Sequence, residues 1–247
     1  MDRFELYELC VQSPQALAGF LRAAHGKAPL ALREDFCGRA AISQAWLALD
    51  PRATALAVDS DPRTLGGVSD PRLERSIADV TRLSDDGRRF DVVHAGNFSL
   101  GYLKTRCELL SYFELVRQRL APAGVFVADT FGGASAFQLG SMERRRFLPD
   151  GRRVSCLWQR READPARGTL LNTLSFRVDR DGEIELELAD AFEYRWRLWS
   201  LPELSDACAQ VGFQELEFYD RVDEGDPVQV QGPQLAVDFT VCIVARR

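Results

Sequence analysis

Short apolar runs, each ending in an acid or a small polar residue, recur along the first half of the chain: Leu30-Ala-Leu-Arg-Glu-Asp35, Ala53-Thr-Ala-Leu-Ala-Val-Asp59, Arg75-Ser-Ile-Ala-Asp79, Phe90-Asp-Val-Val-His-Ala-Gly96 and Val125-Phe-Val-Ala-Asp-Thr130. Such runs, bounded by turn residues, read as buried strands. Between them lie helical patterns: one follows Gly38 through Gln44, Ala45, Trp46 and Leu47, and another covers residues 104 to 120 with Leu109, Leu110, Phe113, Val116 and Leu120 on one side. Pro122 and Gly124 are expected to stop that helix. Residues 2 to 25 carry an amphipathic pattern in which Ser13-Pro14 offers a cap and a first-turn proline for a second helix. The result is a β-α repeat of the parallel-sheet type.

The rhythm changes after residue 133. Three strand-like runs, at 153 to 161, 169 to 178 and 183 to 198, surround a turn at Asp179-Arg-Asp-Gly182 and read as an antiparallel flap inserted after the fifth strand. Pro202 then opens a helix that Gly212 stops. Two strands, 214 to 219 and 235 to 244, follow, joined by the acidic loop from Asp220 to Pro233. The expected organisation is a main domain of residues 1–131 and 200–247, of which 1–28 form a helical cap, with 132–199 as the flap.

The chemistry gathers at the strand ends. The first strand ends in Glu34 and Asp35, turns through Gly38 and enters a helix, whose unpaired N–H groups point into the crevice at the carboxyl edge of a parallel sheet. Asp59 ends the second strand about twenty residues after Gly38, the interval at which nucleoside-binding folds place a ribose-binding acid. A nucleoside cofactor suits this pair. Capping of the following helices by Glu34 and Asp59 is the competing role.

Composition narrows the partners. The 247 residues are 46% hydrophobic and 28% charged, those of an ordinary globular protein. No apolar run approaches the length of a membrane span, and the acidic, amphipathic N-terminus lacks the character of a secretory signal, so a cytoplasmic location is expected. A net charge of −6 disfavours a nucleic-acid surface and favours a small-molecule substrate. The six cysteines are scattered without a Cys-x-x-Cys pair, and with only His25 and His94 beside them no metal spacing emerges.

Five βα-like units, a trailing helix and a terminal strand pair resemble the Rossmann-like fold of the class I S-adenosylmethionine-dependent methyltransferases. The resemblance covers residues 30 to 130 and 195 to 247 and rests on order and spacing. It implies an α/β three-layer sandwich with a seven-stranded, mostly parallel sheet whose last strand is antiparallel. It also implies S-adenosylmethionine as cofactor. The family's Asp-x-Gly-x-Gly-x-Gly turn, laid over this chain, puts Glu34 at the acid and Phe36, Gly38 and Ala40 at the three glycines, so only the central glycine is kept. By the same resemblance Asp59 binds the ribose hydroxyls, Asp79 followed by Val80 meets the adenine, and Asn97 lies in the loop beside the methionine moiety. Tyr194-Arg-Trp-Arg-Leu-Trp-Ser-Leu-Pro-Glu-Leu is similar to a late segment of the small-molecule members.

Methyl transfer from a sulfonium is an in-line displacement, so the protein's task is to hold donor and acceptor at attack distance and exclude water. Arg33 or Arg39 would pair with the donor's carboxylate. A base, where the acceptor arrives protonated, would be His94, against which stands a core histidine in a strand; Tyr7, the other catalytic candidate, would close over the cofactor from the N-terminal helix, against which stands an ordinary packed aromatic. The arginines at 144–146, 152, 153, 160, 161 and 167 read as a solvated face paired with nearby acids, with an anion-binding surface as the alternative. Trp158, Phe192, Tyr194, Trp196 and Trp199 would line an apolar substrate pocket or pack the flap. The expected activity is methylation of a small molecule. Alternatives are a non-catalytic binding protein of the same fold, a protein or RNA methyltransferase, and an NAD-dependent oxidoreductase, which should show Gly-x-Gly-x-x-Gly after the first strand. The oligomeric state is left open, a homodimer being one option.

Overall fold

The computed structural model describes residues 1–65, 69–230 and 235–247. In chain order the helices are α1 (Arg3–Val11), α2 (Pro14–His25), α3 (Ala41–Leu49), α4 (Arg106–Arg119) and α5 (Leu201–Gln210). The strands are β1 (Ala31–Asp35), β2 (Thr54–Asp59), β3 (Leu73–Ile77), β4 (Phe90–Ala95), β5 (Leu120–Gly133), β6 (Gly140–Phe147), β7 (Arg153–Asp164), β8 (Thr169–Arg180), β9 (Glu183–Arg197), β10 (Glu215–Asp220), β11 (Val228–Val230) and β12 (Asp238–Arg246). They form two compact units, one of Ser13–Gly133 with Trp199–Arg247 and one of Met1–Gln12 with Ala134–Leu198. The first helix therefore groups with the antiparallel strands, where the sequence reading placed it with the large domain.

The larger unit is built on one sheet in the order β11-β10-β12-β5-β4-β1-β2-β3. Strands β1 to β5 run parallel, and β12 enters antiparallel beside β5. That is the expected mostly parallel sheet with a reversed last strand, widened from seven strands to eight by the three-residue β11 inside the acidic loop. Residues 231–233 of that loop lie outside the described residues. Side chains alternate across the strands and fill two cores. On one face Leu32, Val92, Val127 and Val244 meet Leu21 of α2 and Ile42, Trp46 and Leu47 of α3; on the other, Val93, Phe126 and Ile243 meet Leu109, Phe113 and Val116 of α4 and Leu204 of α5.

Local chemistry sets the helix starts. Asp2, Thr105 and Ser200 each cap a helix in a reciprocal box with the glutamate three residues on, Glu5, Glu108 and Glu203. The helix α4 ends at Arg119, one residue short of its apolar pattern, and β5 begins at once instead of at Val125, pairing Leu120 with Phe90 before a register shift, so that Pro122 and Gly124 lie within the strand. Trp199 belongs to this unit and not to the flap, its indole N–H donating to the Leu103 carbonyl at 3.0 Å.

In the smaller unit four antiparallel strands run in the order β6-β7-β8-β9, one more than the three expected. Asp181 and Gly182, both with positive φ (52° and 88°), make the two-residue hairpin turn between β8 and β9. Aromatic side chains from alternate positions of β9 line one face: Phe192, Tyr194 and Trp196, with Tyr194 4.7 Å from Trp196 and 5.5 Å from Trp158 of β7. Tyr7 and Phe4 of α1 pack on Phe192.

The β5–β12 pairing depends on Gly133, whose φ of 118° excludes ordinary side chains and whose hypothetical Cβ would stand 2.1 Å from the Val237 carbonyl oxygen. Gly133→Ala is expected to lower unfolding stability by more than about 1 kcal/mol, read from the urea midpoint. An unchanged midpoint would show that the two strands can separate there without loss.

Candidate functional site

The carboxyl ends of β4, β1, β2 and β3 lie side by side and bring Glu34, Gly38, Asp59, Asp79 and Asn97 to one edge of the sheet. Between β1 and α3 the chain folds through three residues in the left-handed region, Phe36 (φ 57°), Gly38 (φ 52°) and Ala40 (φ 62°). These are the three positions that align with the family's glycines. The backbone thus keeps the glycine-type path even where a side chain makes it cost about 1–2 kcal/mol. Above Gly38 the space is open: a Cβ built there meets no atom within 4 Å.

Asp59 fastens this turn. One carboxylate oxygen accepts the Gly38 N–H at 2.8 Å and the other accepts the Asp61 N–H at 2.9 Å. Each oxygen keeps a further lone pair. The carboxylate is half-buried, and the main chain around it is tied as well, with Cys37 N–H donating to Val58 and Ala78 N–H donating to the Asp59 carbonyl.

Glu34 points the other way, into the start of α3, where its carboxylate accepts both the backbone N–H and the hydroxyl of Ser43. It is 2% exposed, and burial pushes it up to about 7, against the pull of the Ser43 hydrogen bonds and with a further push from the charge of Asp59. Since Ala40 offers no side-chain cap to α3, Glu34 supplies that cap from the neighbouring strand.

Arg33 lies on the opposite face of β1 from Glu34, 3% exposed, and donates from Nε to Asp35 at 2.8 Å. Asp35 is fully buried and also accepts the Tyr112 hydroxyl at 3.0 Å. Burial raises the Asp35 carboxyl, while the positive charges of Arg33 and Arg119 pull it down. This is a core ion pair beneath α4, and it takes Arg33 away from the sheet edge where a ligand carboxylate would need it.

Asp79 is exposed and accepts the Thr81 hydroxyl at 2.6 Å and the Thr81 N–H at 2.9 Å, contacts that hold its carboxyl below the usual range. The strand before it ends at Ile77, two residues earlier than expected. The side chain of Val80 is buried in the α4-side core, leaving its main chain for any contact at the edge.

His94 does not reach the edge. It is 1% exposed, its Nδ1 lies 3.0 Å from the Val127 carbonyl, and burial draws it down to about 4, so the imidazole is neutral and donates from Nδ1. Tyr7 belongs to the smaller unit, its ring 5.2 Å from Phe192. The arginine-rich stretch is largely paired, Arg145 with Glu143, Arg153 with Asp179, Arg161 with Asp190 and Arg167 with Asp164, in line with a solvated face.

Two residues that spacing did not single out complete the edge. Ser43 anchors Glu34, and Asp129, near the end of β5, accepts the N–H groups of Asn97 and Phe98. Asp129 carries the same signal as Glu34 and Asp59, an acid closing an apolar run, and could have been found by it.

Because the folded protein binds the Glu34 proton more tightly than the unfolded chain does, this group lowers stability as pH rises from the ordinary carboxylate range through about 7, and adds no further change above it. Glu34→Gln is therefore expected to gain on the wild type by on the order of 3 kcal/mol between pH 4 and pH 8, measured as the difference in urea unfolding free energy. A difference that does not vary with pH would contradict the assignment.

No protein-family model matches the sequence, and none of the curated proteins matches it. Among solved structures, the model is similar to an S-adenosylmethionine-dependent methyltransferase from Clostridium acetobutylicum, with a TM-score of 0.71 at 18% identity over 98% of this chain and 96% of that one. It is similar also to the sugar N-methyltransferase KedS8 from a Streptoalloteichus species (TM-score 0.66, 18% identity, 96% and 87% covered). A third is CalS10, an amino pentose methyltransferase from Micromonospora echinaspora solved with S-adenosylmethionine bound (TM-score 0.63, 20% identity, 95% and 89% covered). At such identities the likeness is one of fold, and the fold of this chain is that of the class I S-adenosylmethionine-dependent methyltransferases.

Proposed function

We propose that the protein binds S-adenosylmethionine at the carboxyl edge of its parallel sheet and methylates a small molecule. The observation that carries this reading is the Asp59 carboxylate gripping the Gly38 N–H. It ties a left-handed turn with open space above its glycine to an acid at the ribose position. The donor set fits the group: Asp59 has lone pairs left that would accept from two ribose hydroxyls, and Asp79 with the main chain at Val80 would hold the adenine. The loop at Asn97 is assigned to the methionine moiety. Glu34 acts behind the turn by starting α3, and Arg33 has no part in binding. When bound, the cofactor supplies a methyl group already activated on a sulfonium.

The chain's own contribution is positioning and the exclusion of water. His94, sealed and neutral with its Nδ1–H donated to the Val127 carbonyl, is withdrawn as a base. The similarity to a sugar N-methyltransferase and an amino pentose methyltransferase makes amino sugars the first acceptors to screen.

Calorimetric titration tests the reading. S-adenosylhomocysteine is expected to bind in the micromolar range and NADH not to bind. Asp59→Ala is expected to weaken S-adenosylhomocysteine by roughly a hundredfold, the loss of charge-assisted hydrogen bonds worth about 3 kcal/mol. Asp85→Ala, in the loop before β4, should leave it unchanged. Equal effects of the two variants would overturn the ribose assignment, and binding of neither ligand would overturn the cofactor.

A further inference from the structure

The loop that leaves β4 is folded by a carboxylate from the next strand. Asp129 Oδ2 accepts the Asn97 N–H at 2.9 Å and Oδ1 accepts the Phe98 N–H at 2.6 Å. Both donors are non-glycine residues in the left-handed region, with φ of 57° and 58°. Two consecutive residues of this kind are disfavoured on their own, since each brings its Cβ against the neighbouring carbonyl. In this conformation their N–H groups converge, forming a concavity that holds an anion. The anion is supplied by the protein itself.

The Phe98 ring also packs edge-on against Phe131, 4.9 Å away, so one strand, β5, holds both the side chain and the main chain of the turn. Ser99 closes the turn, its hydroxyl donating to the Gly96 carbonyl at 2.6 Å. Of these contacts only the carboxylate matches the two left-handed N–H groups.

We propose that Asp129 is a positioning residue for the donor: through Asn97 and Phe98 it sets the loop that receives the amino-acid end of S-adenosylmethionine. The inference rests on the function proposed above. In the sheet order β4-β1-β2, this loop and Asp59 stand on opposite sides of β1, two strand spacings or about 10 Å apart. A ligand whose ribose is held by Asp59 and which extends across β1 ends at Asn97. Adenosine alone, lacking the amino-acid arm, ends short of it.

Asp129→Asn keeps the shape of the side chain and turns one of its two acceptors into a donor facing an N–H. The expected result is that S-adenosylhomocysteine binds at least about tenfold more weakly to the variant, while adenosine binds within about twofold of its wild-type affinity. Parallel losses for both ligands, or no loss for either, would overturn the proposal. Hydrogen exchange at the Asn97 and Phe98 amides tests the contact independently of any ligand: protection in the wild type and its loss in Asp129→Asn are expected, and equal protection in both would overturn it. A wild type that binds neither ligand would overturn the cofactor reading while the exchange measurement still decides whether Asp129 shapes the loop.

Discussion

One hydrogen bond, from the Gly38 N–H to the Asp59 carboxylate, joins the turn after β1 to the end of β2, and the edge of the sheet proposed as the cofactor site is built around it. The turn it holds is costly. Phe36 and Ala40 occupy left-handed conformations that glycine would adopt freely, and they keep them because the chain is tied on both sides. On one side stands Asp59; on the other Glu34 captures the first turn of α3 through Ser43. Each acid satisfies a backbone N–H of the turn or of the first turn of α3 that has no partner within its own element.

The acids at this edge divide by burial into two kinds. Glu34 and Asp35 are sealed, and their work is internal: one starts a helix, the other gathers Arg33 and Tyr112 beneath α4. Asp59, Asp79 and Asp129 are half-buried or exposed and shape the main chain of the turns around them while keeping access to the crevice. Adjacent residues of one strand face opposite sides of the sheet, so Arg33 and Glu34, neighbours in sequence, serve different cores.

Much of this was legible in the sequence. Apolar runs ending in acids gave the order of the parallel strands, and the Gly38 to Asp59 interval located the paired strand ends. Other features were not legible, for physical reasons. Strand β6 is exposed along its whole length, so Gly140–Phe147 carries no alternation for a pattern to show. The short β11 is defined by pairing with β10 and by nothing in its own three residues. The early start of β5 contradicts Pro122, because a proline is tolerated where the strand shifts register. For Arg33 and His94 residue type suggested chemistry, but the side of the strand and the depth of burial decided otherwise. The acid of Asp129 closes an apolar run and was legible, but its role was not, because its partners Asn97 and Phe98 are more than thirty residues away and become neighbours only when β4 and β5 pair.

The central claim is that the edge defined by Asp59 and Gly38 is a nucleoside site. A crystal structure of the protein with S-adenosylhomocysteine tests it most directly. The expected result is both ribose hydroxyls within hydrogen-bond distance of the Asp59 carboxylate, with the ligand passing over Gly38 toward Asn97. A ligand bound elsewhere, or one whose ribose makes no contact with Asp59, would contradict it.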